Sequence, residues 1–199
     1  MGLFTCLVLN FFLADRLVVG SRWILPVLVG LPLIPLLAVR HHQPDQSPWV
    51  RHVALSLIGL VTLANLTSLV LLVDRLLATS VTQGKGLIAS AVSIWLTNVI
   101  VYGVWFWEID RGGPAYRAAG IINRIDLQFP QLENPSLAPH DWHPQFLDYL
   151  YTSFANGTSF APADAMPLTS RMKVLFTSES VVSLVAISIV AARAVNILR

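Results

Sequence analysis

Residues 154–167 read FANGTSFAPADAMP. Glycine, asparagine, aspartate and two prolines in one short stretch should interrupt a helix. The flanks are of the opposite kind. Before the stretch runs the aromatic segment FLDYLYTS, and after it the long apolar segment VLFTSESVVSLVAISIVAARAVNIL. A polar, irregular turn between two such segments has to be sheltered. Backbone without internal hydrogen bonds is tolerated at membrane depth only where protein buries it or water lines it.

The composition supports a bilayer as the surroundings. Of 199 residues, 55% are hydrophobic and only 12% are charged, against about 25% charged in soluble domains. Mean hydropathy is +0.65. A chain with so few charges cannot cover a water-facing surface. The formal net charge of +2 comes from scattered basic residues. No basic cluster is interleaved with aromatics, so no nucleic-acid partner is expected. The single cysteine, Cys6, excludes an internal disulfide and a cysteine metal cluster.

Four apolar segments define the spans: 23–39, 53–73, 87–107 and 174–198. A helix needs about 20 apolar residues to cross a bilayer. The first segment carries Pro26, Pro32 and Pro35 and should be kinked or broken. The N-terminal run is shorter than a span. It lacks a positive leader and a small-residue cleavage site, so a signal peptide is not expected. Residues 108–144 are hydrophilic and proline-rich, an ordered loop at the headgroups with Trp105, Trp107 and Trp142 at its ends. Residues 145–159 are amphipathic at helical spacing, with Phe146, Leu150 and Phe154 on one face. That helix is too short to cross, so it should enter the membrane, turn and leave.

The expected fold is therefore all-α: an integral membrane protein with four transmembrane helices and a re-entrant helix and loop before the last one. The chain divides into a short hydrophobic segment (1–22), two membrane helices (23–83) and a pore-like unit (87–199).

Residues 153–167, SFANGTSFAPADAMP, carry a resemblance. The order of outer helix, loop, short helix, irregular turn and inner helix resembles the potassium-channel-like pore-loop superfamily. Its filter typically reads SF-x-T-x-TTVGYGD-x-x-P. Without gaps, Ser153 matches the leading serine. Thr158 and Ser159 take the two threonine positions, Asp164 the aspartate and Pro167 the proline. The resemblance covers about residues 87–198, and the whole chain is similar to a group of bacterial membrane proteins with this ending.

It implies a homotetramer in the inner (plasma) membrane, with lipids as surroundings and a monovalent cation as permeant ion. The filter is degenerate. Ala161 and Ala163 replace the two glycines, with Pro162 between them. Alanine at positive φ costs on the order of 1 kcal/mol or more, and Pro162 pushes Ala161 toward extended angles. A potassium-selective carbonyl ladder is thus not expected. Rings of Thr158 and Ser159 hydroxyls and an acidic ring of Asp164 would give a weakly selective cation pathway. Phe160 is a candidate dewetting constriction.

Glu179, inside the last helix, is a candidate support behind that loop, hydrogen-bonded to its backbone. The plainer reading is a packed glutamate between Ser178 and Ser180. An acid at mid-membrane costs roughly 2.5–3.5 kcal/mol on insertion scales and is functional by default. Asn65, Thr62, Thr67, Thr97 and Asn98 should form hydrogen bonds between helices. His140 and His143 are bracketed by Pro139 and Pro144 and fall short of a zinc ligand set. No phosphate loop, nucleophile elbow or zinc helix is present, so no enzyme and no cofactor are expected. Two other classes remain open: a non-conducting structural or accessory membrane protein that keeps the pore-loop fold, and a small transporter using the prolines of 26–35 as a broken helix.

Overall fold

The computed structural model describes residues 48–78, 84–121, 124–134, 136, 138–159 and 165–197. The first apolar segment, the short N-terminal run and residues 160–164 of the filter-like stretch lie outside the described residues.

Among the described residues, three helices are long and apolar enough to cross a membrane by length and composition. They are α1 (Pro48–Ala78), α2 (Gly84–Ile109) and α6 (Ser170–Ile197). Between α2 and α6 lie a 3-10 turn (Asp110–Gly112), α3 (Pro114–Ala118), β1 (Leu127–Gln128), α4 (Pro130–Glu133), α5 (Phe146–Ser159) and β2 (Met166–Pro167). β1 and β2 pair antiparallel, with Leu127 opposite Pro167 and Gln128 opposite Met166.

α2 is the central helix and packs against α1, α5 and α6. One apolar cluster joins α1, α2 and α6 through Leu69, Leu72, Ile94, Val182 and Ala186. A second lies at the loop end, where Tyr102, Phe106, Leu127, Tyr149, Met172 and Phe176 meet. Phe106 stacks on Phe176 with centroids 4.5 Å apart. Outward faces of the long helices carry Leu63, Val70, Leu77, Val174, Val181 and Leu184. Apolar residues on both the inner and the outer faces of a helix are the pattern of a membrane span.

Polar residues within the spans tie the helices together. Asn65 Nδ2 donates to the Ile94 carbonyl at 3.3 Å, and Trp105 Nε1 donates to Thr62 Oγ1 at 2.9 Å. Thr62 and Thr67 also donate back to their own helix, to the carbonyls of Ile58 and Leu63. For Thr67 this replaces the expected bond between helices with a local one, because its side chain points outward.

α5 lies close against α2. A Cβ on Gly103 would stand 3.1 Å from the Leu150 Cα. That neighbour is backbone and cannot rotate away. Gly103→Val should therefore push α5 off α2 and cost about 1–3 kcal/mol by overpacking. Reversible unfolding in mixed detergent–SDS micelles would check this, and a stability equal to that of the parent chain would refute it.

The half-buried tryptophans expected at the headgroups also pack against the protein. Trp107 meets Phe146 and Tyr149 edge-on, and Trp142 meets Phe129.

Candidate functional site

The site is built where α5 meets α2 and α6. α5 turns its polar, small face inward: Thr152, Ser153, Ala155, Asn156 and Gly157 are buried. Three of its apolar residues turn outward, with Leu147 72%, Tyr151 50% and Phe154 47% exposed, while Tyr149 is buried with the polar face. Periodicity revealed that the helix was amphipathic; only packing revealed which face meets the protein. Burying polar groups is favourable only when each finds a partner.

The partners converge on Glu179, which is 0% exposed. Ser153 Oγ donates to Glu179 Oε1, and Asn156 Nδ2 donates to Oε2 at 2.8 Å. Ser153 Oγ also lies 2.7 Å from the Val99 carbonyl, and Asn156 Nδ2 lies 3.0 Å from that of Phe176. Asn98, from α2, donates to the Glu179 carbonyl at 3.2 Å and to Ser183 Oγ at 3.0 Å. Ser180 donates to Asn156 Oδ1 at 3.2 Å. Glu179 thus binds side chains of α5, where a backbone partner in the turn was expected. Helical spacing explains this: Ser153 and Asn156 lie three apart and share one face.

Gly157 permits the close approach. A Cβ there would lie 3.1 Å from Ser183 Oγ and 3.4 Å from Val99 Cγ2. Its carbonyl accepts from Trp95 Nε1 at 3.3 Å. These contacts also set how far α5 reaches. Ser183 lies thirteen residues into α6, or about 20 Å at 1.5 Å per residue.

The other end of α5 is held at the loop. The Tyr149 hydroxyl donates to Asp110 Oδ2 at 2.7 Å, and Asp110 Oδ1 accepts from the backbone N–H groups of Asp126 and Leu127 at 3.0 and 3.1 Å. Burial, then the adjacent Asp110, holds the Tyr149 phenol above its ordinary range, so it stays a donor. The Arg117 guanidinium stacks 4.2 Å over the Trp107 ring and donates to the Asp110 carbonyl at 2.7 Å. Burial lowers its pKa, opposed by Tyr149, Asp110 and Glu108.

Asp110 ends α2 in a sharp turn. Arg111 has φ 54°, and Gly112 and Gly113 follow at 84° and 99°. The left-handed region suits Gly112 and Gly113, whereas Arg111 enters it without glycine's freedom. The cap that results was not legible in the sequence beyond its being ordered. Asp110 and Asp126 are both 0% exposed. Their sixteen-residue separation has no periodic signature.

Of the filter-like residues, Thr158 and Ser159 are described. Both are exposed at the end of α5, and both donate to carbonyls of their own helix, Phe154 at 2.8 Å and Ala155 at 2.6 Å. Phe160, Ala161, Pro162, Ala163 and Asp164 lie outside the described residues. His140 and His143 are exposed, and His143 Nδ1 lies 3.2 Å from the Asp141 carbonyl. Against known proteins, the chain matches no family model, no curated protein and no solved structure.

Proposed function

We propose that the chain forms a re-entrant pore loop and, as a homotetramer in the plasma membrane, a weakly selective cation pathway. The observation that carries this reading is the course of the chain around α5. It starts at the Asp110 cap, runs down to the level of Ser183 about midway along α6, and reappears at the cap in β2. A chain that leaves the cap and returns to it beside two long apolar helices supports a pore-loop reading.

The inverted surface of α5 gives further support. Leu147, Tyr151 and Phe154 suit contact with lipid or sister subunits, while Glu179 and its neighbours hold the helix from inside. The C-terminal end of α5 carries the negative end of its dipole, worth about 0.3–1 kcal/mol to a nearby charge. That end presents Thr158 and Ser159, and a cation is the ion it attracts. The Thr158 hydroxyl proton is engaged within the helix, which turns the oxygen's lone pairs toward an ion. The pore-loop resemblance gives Asp164 the role of an acidic ring at the outer mouth.

Purified protein in planar bilayers should pass monovalent cations in preference to chloride. Asp164→Asn should shift the reversal potential in a salt gradient toward zero. An unchanged reversal potential would remove Asp164 from the mouth. Absence of any conductance, together with a monomer or dimer in nanodiscs, would favour an accessory role and end the permeation reading.

A further inference from the structure

The stretch that leaves the loop is fastened as tightly as the helix that enters it. Leu168 N–H donates to the Asp126 carbonyl at 2.9 Å. Thr169 Oγ1 and Arg171 Nε both donate to Asp126 Oδ1, at 2.6 and 2.7 Å, and Arg171 Nη2 donates to Oδ2. Asp126 is thus gripped by a two-pronged arginine from the first turn of α6. Its own N–H is held by Asp110, which also holds α5 through Tyr149. Two buried carboxylates therefore link the entry helix, the exit strand β2 and the start of α6 in one continuous chain of hydrogen bonds. Only five residues, 160–164, join Ser159 to Ala165.

We propose that Asp126 is a positioning residue: through Arg171 and Thr169 it sets the exit of the pore loop relative to α5, and so the outer end of the pathway. This rests on the permeation reading, but its geometric half stands without it. The arginine geometry makes the assignment specific. A bidentate guanidinium–carboxylate pair fixes direction as well as distance, which a lysine cannot do.

The test uses the full chain with Cys6→Ser, spin-labelled at Leu147→Cys and Met166→Cys, both exposed positions, and diluted with unlabelled chain. The parent should give a narrow interspin distance distribution. Asp126→Asn and the milder Arg171→Lys should broaden it, while Val61→Ala, in the α1–α2 core, should leave it narrow. Should Asp126→Asn fail to fold, Arg171→Lys carries the test alone. Equal distributions in parent and Arg171→Lys, or equal broadening in Val61→Ala, would overturn the proposal. In bilayers the same two clamp variants should lose cation-over-chloride preference while Val61→Ala keeps it. Unaltered preference in Arg171→Lys would refute control of the pathway. A silent parent chain with broadened clamp variants would instead refute permeation and uphold the positioning geometry.

Discussion

Glu179→Ala will destabilise the protein by about 3 kcal/mol, whereas Glu179→Gln will cost under about 1 kcal/mol. The difference follows from which loss is larger. Hydrogen bonds between membrane helices average about 0.6 kcal/mol each, because the unfolded helices find other partners in the membrane. Loss of the bonds from Ser153 and Asn156 is therefore the smaller part. The larger part is the cavity left where a fully buried side chain joined α5 to α6.

Glutamine refills that space. Its carbonyl accepts from Asn156, and its amide donates to Ser153 Oγ, whose proton turns from position 179 to the Val99 carbonyl 2.7 Å away. SDS titration of the purified variants in detergent measures both values. Equal losses in the two variants would show that charge, and not packing, is what the site requires. An alanine variant as stable as the parent would dismiss Glu179 as the support of α5.

Asp110→Ala will cost about 4 kcal/mol and release the loop while the long helices stay formed. Here the reference state is water, so each abandoned group bears its full desolvation penalty, about 1–3 kcal/mol apiece. The abandoned groups are the N–H groups of Asp126 and Leu127 and the Tyr149 hydroxyl. Asp110→Asn keeps one oxygen for the two N–H groups, and Tyr149 can turn to accept from the new amide, so it should cost roughly 1–2 kcal/mol.

Tryptic cleavage after the exposed Arg124 reports the release directly. It should accelerate strongly in Asp110→Ala and weakly in Asp110→Asn, with helical circular dichroism unchanged. Cleavage of Asp110→Ala at the parent rate would mean that the loop is held by something other than this carboxylate.

Both predictions concern residues that the sequence presents very differently. Glu179 stands out as an acid inside an apolar run, and the expense of placing it there marks it among its neighbours. Its partners are less visible. Ser153 and Asn156 fall in the filter-like stretch, where they read as pore-loop residues, and nothing in their spacing to Glu179 indicates contact. Asp110 and Asp126 are hidden more completely. They lie in a hydrophilic loop among other acids, where solvent is the ordinary expectation, yet both are buried.

Three helices of membrane-spanning length and composition, and the short helix before the last of them, were legible in the residues alone. Apolar runs of bilayer length at 53–73 and 87–107 lie within α1 and α2, and residues 174–197 of the last run lie within α6, because hydrophobic length and helical rise are local properties. The short amphipathic helix before the last span was legible for the same reason. It took the packed fold to establish that α5 turns its polar face inward, that it reaches the level of Ser183, and that two carboxylates bind both of its neighbours at the loop. Each of these depends on which groups meet across the fold. A polar side chain is stable either facing water or facing a partner, and only the packed chain supplies the partner.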